Sequence, residues 1–137
     1  MYIKNKDTIC APATVPGTGA ISVIRVSGPD ALTIADKVIK CKKGSISESK
    51  GYTIKFGVIL DDAGAVLDEV LVSIFRAPHS YTGEHSVEIS CHASSYIVSA
   101  VMNLLYAAGA RAAEPGEFTQ RAFLNGKMDL AQAEAVA

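Results

Sequence analysis

The sequence predicts an α/β (α+β) domain in which a mixed β-sheet is flanked by helices. Short apolar stretches typical of strands occur along the whole chain, and two of them are joined by a hairpin turn. Segments with helical periodicity lie between the strands, an order that indicates a sheet covered by helices. The chain has 137 residues, of which 49% are hydrophobic, and this is enough for one domain with its own core.

The first third of the chain predicts two strands and a helix. Residues 8–13 are mostly apolar and predict a strand, and residues 14–19, with one proline and two glycines, predict a loop. Residues 20–27 are almost continuously apolar and rich in β-branched side chains, which favours a strand covered on both faces. Pro29 is suited to the first turn of a helix, which the apolar spacing extends through Ile39.

The middle of the chain predicts an antiparallel hairpin and another alternating strand. Residues 52–60 alternate between apolar and polar, residues 61–64 form a turn, and residues 66–76 run back. A polar loop at 77–85 then leads into a strand at 86–92, whose apolar residues fall on one face.

Three more helices are predicted, with a short strand after the first. Their signals are capping residues before apolar stripes and stop residues after them. The predicted bounds are, in order, a helix from Ser94 or Ser95 to Gly109, a strand at 110–113, a helix from Pro115 to Asn125, and a helix opened by Asp129 that continues to the last residue.

Composition excludes several classes of function. The formal net charge is −1, so a broad basic face for nucleic acid is not expected. No apolar run approaches the roughly 20 residues that span a bilayer, and the N-terminus does not resemble a signal peptide, so no membrane association is expected. Cys10, Cys41 and Cys91 are odd in number and widely spaced, which favours reduced thiols and a cytoplasmic location.

Motifs for nucleotide binding, metal binding and nucleophilic catalysis are missing. The sequence has no P-loop, and its three histidines do not have the spacing of a zinc site. Ser90 lies near His92 but outside a nucleophile elbow, so the two predict only the polar face of a strand. No catalytic or metal-binding residue is predicted.

Two charged residues lie in the middle of predicted strands. Arg25 shares a face with Ile21 and Val23, and Glu88 points away from its apolar neighbours. Because charged side chains are seldom buried without a partner, the two could form an ion pair across the sheet, or Glu88 could face solvent. Alternatively they could lie at the mouth of a pocket, where a carboxylate accepts two parallel hydrogen bonds from a planar ring edge and a cation meets an anionic group.

Lys127 is a third candidate, because a helix stop and a helix start flank it. The tight turn would hold its stem, although spacing alone favours a solvated turn lysine, because lysines are mostly exposed. The loop at 81–84 carries an aromatic residue and a carboxylate near the strand of Glu88, and loops on rigid scaffolds often bind ligands.

Several segments, in order along the chain, resemble one family. They are residues 7–9, 13–14, 16–17, 24–28, 81–84, 87–92, 109–111, 115–119 and 121–135, the last two with the run PGEFT followed by RAFLNGKMDLAQAEA. The family they resemble is the N-terminal domain of the tRNA modification GTPase MnmE, also called TrmE. The chain departs from that family's usual loops at Thr18, Ala20, Ala93 and Ser94.

The resemblance implies the tetrahydrofolate-binding architecture shared with aminomethyltransferases, and a homodimer. It implies a bound 5-formyl- or 5,10-methylene-tetrahydrofolate, with Arg25, Glu88 and Lys127 as the contacts. It further implies that residues 1–128 form the folate-binding and dimerisation domain, and that residues 129–137 start the first helix of a central helical domain.

For the whole protein, the resemblance implies a GTPase domain that uses GTP, magnesium and potassium and lies outside this chain. Together with the FAD-dependent partner MnmG it would add an aminomethyl-type group to C5 of the wobble uridine of tRNA, while this part of the protein would not be catalytic by itself. The alternative is an interaction and dimerisation module without a ligand. An independent aminomethyltransferase is disfavoured, because Glu84 and Glu88 are the only obvious acids for catalysis.

Overall fold

The computed structural model of the protein describes residues 7–13 and 19–136. Their strands are β1 (Ile9–Pro12), β2 (Ile21–Ser27), β3 (Ile39–Cys41), β4 (Thr53–Leu60), β5 (Val66–Phe75), β6 (Ser86–His92) and β7 (Arg111–Ala112). Their helices are α1 (Ala31–Val38), α2 (Ser95–Ala107), α3 (Glu117–Leu124) and α4 (Leu130–Val136). The predicted α/β class, with a mixed sheet flanked by helices, is confirmed.

All the strands belong to one sheet, in the order β3-β4-β5-β6-β2-β1-β7. Every neighbouring pair is antiparallel except β1 and β7, which are parallel. The predicted hairpin is β4 and β5, and the predicted alternating strand is β6. The charged residues singled out above therefore lie near the centre of the sheet, on β2 and β6.

The hydrophobic core lies on one face of this sheet, under α1 and α2. Ile24 and Val26 of β2 and Val87 and Ile89 of β6 are fully buried there. The opposite face, called the open face below, carries the side chains that alternate with these residues. Arg25 and Glu88 are on it, as is Ile21, which is well exposed. The expectation that residues 20–27 are covered on both faces is therefore wrong for the Ile21 end of β2, which is exposed on the open face. At the other end of the strand α3 and the 80–84 loop lie over this face, where Phe118 packs on the Arg25 guanidinium and Ser27 is fully buried against Thr82 and Glu84.

The first helix is shorter than its apolar pattern predicts. It begins at Ala31, so Pro29 lies before it, and it ends at Val38. Ile39 has an extended backbone, with φ −115° and ψ 129°, and starts the edge strand β3 instead. Gly57 on β4 makes this pairing possible, because a Cβ at that position would lie 2.7 Å from the carbonyl oxygen of Lys40. Lys40 therefore lies on an edge strand and not at the end of a helix.

Two predicted helix caps are confirmed. The Ser94 hydroxyl accepts a hydrogen bond from the Ile97 amide at 3.1 Å. Asp129 and Gln132 form a reciprocal capping box, with the two backbone amides donating to the opposite side chains at 2.9 and 2.8 Å. The loop predicted at 14–19 lies, apart from Gly19, outside the described residues. Among the helices in the described ranges, none has the length and apolar character needed to cross a bilayer.

Candidate functional site

A cavity of about 340 Å³ opens beside the central strands and contains two of the three candidate residues. Glu88 reaches it from β6, and Lys127 reaches it from the turn after α3. The other walls are aromatic rings and serine hydroxyls. They come from Tyr52, Phe75, His79, Tyr81, Ser80 and Ser86. A planar ligand with both a donor edge and an anionic end matches this lining, because it could meet the carboxylate, the ammonium and the flat apolar surfaces together.

Glu88 is oriented by Arg25, which lies directly opposite on β2. The Arg25 Nε donates to Glu88 Oε2 at 3.0 Å, and the two side chains are 19% and 29% exposed. The ion pair considered from the sequence is therefore present, and its carboxylate lines the cavity at the same time. Among the described residues Oε1 has no hydrogen-bond partner, so this oxygen can accept from a ligand.

Arg25 itself does not line the cavity. Its guanidinium carbon lies 4.9 Å from the centre of the Tyr81 ring and 5.1 Å from that of Phe118, within the range of cation–π attraction. Arg25 thus sits behind Glu88 and Tyr81, where it fixes the direction of the carboxylate.

Lys127 is presented by a tight helix end. The amides of Gly126 and Lys127 donate to the carbonyls of Phe123 and Ala122 at 3.0 and 2.8 Å, which is a Schellman motif. Gly126 has φ 75°, the left-handed conformation that this motif needs. The Lys127 ammonium makes no ion pair with any described residue, so its charge is free to meet an anion.

The loop at 80–84 is locked against this turn. Asn125 donates from Nδ2 to the Thr82 carbonyl at 2.8 Å. Gly83 has φ 82°, and a Cβ added there would lie 2.8 Å from Asn125 Cβ and 3.3 Å from Lys127 Cγ. The loop and the lysine-bearing turn therefore fit together only because residue 83 has no side chain.

A buried charge cluster under this loop was not predicted from the sequence. Arg121 is 5% exposed and forms ion pairs with Asp7, Glu84 and Glu117 at 2.7, 3.1 and 3.3 Å. Glu84 also accepts from the Ser27 hydroxyl at 2.7 Å, so its carboxylate is turned away from the cavity. The cluster ties α3, β2 and the 80–84 loop together, and Glu84 acts as a structural residue in it.

A second arginine, Arg111, forms ion pairs with Asp7 and Glu117 of this cluster at 2.5 and 2.6 Å, and the pKa values of both carboxyls are lowered. Hydrogen bonding from Arg111 is the main cause for Asp7, and the pKa of this carboxyl falls to about 2 although its partial burial opposes the shift. Burial alone would raise the pKa of Glu117, but hydrogen bonds and charge from Arg111 and Arg121 outweigh it and the net shift is downward. Both carboxylates are therefore charged at neutral pH and serve as permanent partners of the two arginines.

Neither the two buried thiols nor the metal-ligating side chains of the described residues form a second site. Burial raises the pKa of Cys10 and of Cys91 to about 11, so both thiols stay protonated and unreactive at neutral pH. Within residues 7–13 and 19–136, no cluster of three or more metal-ligating side chains occurs.

Sequence reasoning missed the aromatic walls of the cavity. Tyr52 and Phe75 look like ordinary residues of the hairpin strands, and a pattern of alternation does not show which ring borders a cavity. The nearest available signal was Tyr81, which was noted in its loop beside Glu88. The structure adds Tyr52, Phe75 and His79 to that side of the cavity.

Comparison with known proteins places the chain in a family. The family model described as the GTP-binding protein TrmE N-terminus matches residues 8–127, a range that contains Arg25, Glu88 and Lys127. The chain belongs to this family. The family resemblance recognised in the sequence motifs is thereby confirmed.

Curated relatives carry the name tRNA modification GTPase MnmE. The protein of Bacteroides thetaiotaomicron is 62% identical over 97% of this chain, that of Moorella thermoacetica 56% over 95%, and that of Flavobacterium johnsoniae 54% over 97%. The matched region makes up 29%, 29% and 28% of those proteins. The chain thus spans under a third of the length of these relatives.

Proposed function

We propose that this domain binds a tetrahydrofolate derivative as part of a tRNA-modifying GTPase. The ligand is 5-formyl- or 5,10-methylene-tetrahydrofolate, a one-carbon carrier with a planar pterin ring and a glutamate tail. The observation that carries the proposal is the meeting of Glu88 and Lys127 in one cavity with aromatic walls.

The chemistry of the ligand matches the two ends of the cavity. The pterin ring presents adjacent N–H donors along one edge, and Glu88 has a free Oε1 together with the remaining acceptor capacity of Oε2. Lys127 can meet the carboxylates of the glutamate tail as a mobile point charge. Arg25 holds the Glu88 carboxylate in one direction through its Nε, so we assign it an orienting role.

The open face of the sheet supports the proposal of a homodimer. Ile21, Ile54 and Leu71 expose 60%, 67% and 49% of their surface on it, and an exposed apolar patch of this kind is typical of an interface. The same observation favours the second candidate function, an interaction and dimerisation module without a ligand. Only ligand binding separates the two.

The last helix supports a domain boundary near residue 129. No residue of α4 is buried, and its main neighbour is α3. We propose that residues 1–128 are the folate-binding and dimerisation domain and that α4 belongs to the following helical domain. In the whole protein, a GTPase domain would use GTP, magnesium and potassium, and tRNA and the FAD-dependent protein MnmG would be the substrate and the partner.

A titration with 5-formyltetrahydrofolate tests the folate proposal. Losing the charge at Glu88 removes charge-assisted hydrogen bonds worth about 1.5–3 kcal/mol, so Glu88→Gln should weaken binding roughly tenfold or more. Glu48→Gln is the matched control, because Glu48 is an exposed carboxylate outside the cavity lining. Lys127→Met should also weaken binding, with the exposed Lys50→Met as its control.

The outcome distinguishes the two candidate functions. If the protein does not bind the folate at all, the module without a ligand is the better account. If the folate binds but Glu88→Gln and Lys127→Met bind it like the wild type, the proposed site is wrong.

A further inference from the structure

Tyr52 has a backbone conformation that a tyrosine rarely adopts. Its φ is 60°, and it is the one non-glycine residue with a positive φ in the described ranges. For a bulky side chain this conformation is strained and needs surroundings that enforce it. The Tyr52 amide donates to the Ile74 carbonyl at 2.7 Å, which fixes the chain there as it enters β4.

Core packing does not account for the tyrosine at this position. Tyr52 is 75% exposed, so its ring contributes little buried surface to folding. Among the described residues its ring has two loose aromatic neighbours. The ring centroids of Tyr52 and Phe75 are 6.2 Å apart in an edge-to-face arrangement at 89°, and those of Tyr52 and His79 are 6.2 Å apart at a tilt of 40°. A glycine would adopt the same backbone without strain and would lose little packing.

The strained backbone does, however, place the ring at the cavity of Glu88 and Lys127. We infer that Tyr52 is the stacking platform of this cavity, against which the planar ring of the ligand lies while Glu88 accepts from its N–H edge. This inference rests on the folate proposal, for which the planar group is the pterin ring. Aromatic side chains suit the role because they offer a flat surface and lose little conformational freedom on binding.

The inference predicts that a change at Tyr52 affects the melting temperature and the folate affinity in different ways. Tyr52→Gly should melt at or above the wild-type temperature, because the backbone strain is relieved, and yet bind 5-formyltetrahydrofolate about tenfold more weakly, as stacking losses of roughly 1–3 kcal/mol imply. Tyr52→Phe keeps the ring and should bind within about twofold of the wild type. Tyr96→Ala is the matched control, since Tyr96 is 72% exposed on α2, away from the cavity, and should leave affinity unchanged.

A tetrahydropterin without the glutamate tail identifies the part of the ligand that Tyr52 contacts. With 6-methyltetrahydropterin the loss caused by Tyr52→Gly should persist, while the loss caused by Lys127→Met should disappear. If Tyr52→Gly weakens only the tailed folate, the ring-stacking assignment is overturned.

Parallel measurements keep the two proposals distinguishable. If wild type binds the folate and Glu88→Gln weakens it while Tyr52→Gly binds like the wild type, the stacking platform is wrong and the folate site stands. If wild type shows no binding, both are wrong. Sedimentation of Tyr52→Gly adds a further check, because a loss of self-association with unchanged ligand affinity would make the tyrosine a contact between copies and overturn the inference.

Discussion

At the scale of single residues, the clearest feature is how the arginines are used. Each of the four bonds to carboxylates or carbonyls of the protein. Arg121 is almost wholly buried and has three acidic partners, and among the described residues only its Nε is buried without a hydrogen-bond partner. Breaking one partner of such a cluster leaves the other charges buried and uncompensated, which is costly. Arg76, Arg111 and Arg121 are therefore structural, Arg25 orients Glu88, and Lys127 is the cation of the described residues that lines the cavity without an ion pair.

The cluster predicts a defined loss of stability in acid. A carboxyl whose pKa is lower in the folded state stabilises the fold above its unfolded pKa and loses that contribution as the pH falls through the folded pKa. For Asp7 the window runs from its ordinary pKa of 3.8 to about 2. Because Asp7 is partly exposed, the loss it causes should be about 1 kcal/mol or less.

Urea unfolding at several pH values measures this effect. The free energy of unfolding of the wild type should fall across the window of Asp7, and Arg111→Met, which removes the main cause of the low pKa, should flatten the slope. Equal slopes for the two proteins would contradict the assigned role of Arg111.

At the scale of elements, the site depends on how the 80–84 loop fits the end of α3. Gly83→Ala should destabilise the protein by about 2 kcal/mol and weaken folate binding, because the positive φ is strained and the new Cβ displaces Asn125 and the Lys127 stem. Gly64→Ala is a close control, since Gly64 has φ 86° but nothing within 4 Å of an added Cβ. It should cost only the backbone strain of about 1 kcal/mol and leave binding unchanged.

Thermal melts and folate titrations of the two variants separate strain from steric contact. Equal effects on stability would mean that the loop tolerates the collision. Unchanged binding in Gly83→Ala would mean that the position of Lys127 does not depend on this loop.

Local signals predicted most elements of the fold. Alternation found β6 and the hairpin, and the side chains that cap α2 and α4 could be read directly, because these features depend on neighbours in sequence. The edge strand β3 was missed, since Ile39 continues a helical pattern and only the distant Gly57 allows its strand pairing. The exposed end of β2 at Ile21 was missed because a continuous apolar sequence does not show how far along the strand a covering element extends.

In the candidate site, too, local signals predicted some residues, while others depend on contacts between distant parts of the chain. Arg25 and Glu88 stood out as charges inside strands, and the structure brings them together because antiparallel register sets them opposite each other. Lys127 joins Glu88 only through the packing of the 80–84 loop on α3. The charge cluster of Arg121 includes Asp7 and Glu84, which lie far from it in the chain and could not be predicted locally. Only its i,i+4 pair with Glu117 is a local helix pattern.

At the scale of the whole molecule, the exposed apolar residues of the open face predict self-association. Leu71 lies on β5, an inner strand of the sheet, and is 49% exposed there. Leu71→Asp should shift the protein toward monomer in sedimentation velocity, because a charge in the middle of an apolar interface loses hydration without gaining a partner. Leu130→Asp changes a leucine that is 57% exposed on α4 and should leave the association unchanged.

The opposite pattern would contradict the choice of face. If Leu130→Asp gives monomer and Leu71→Asp does not, α4 is the contact surface. If wild type is a monomer at all concentrations tested, the open face of the isolated chain does not drive dimerisation.

The central claim is that a reduced folate occupies the cavity shared by Glu88 and Lys127, and a crystal structure of the protein with 5-formyltetrahydrofolate tests it most directly. The account predicts electron density for the pterin ring with its N–H edge on the Glu88 carboxylate, one ring face on Tyr52, and the glutamate tail near Lys127. Density for the folate at another place, or an empty cavity in crystals of protein saturated with the ligand, would contradict it.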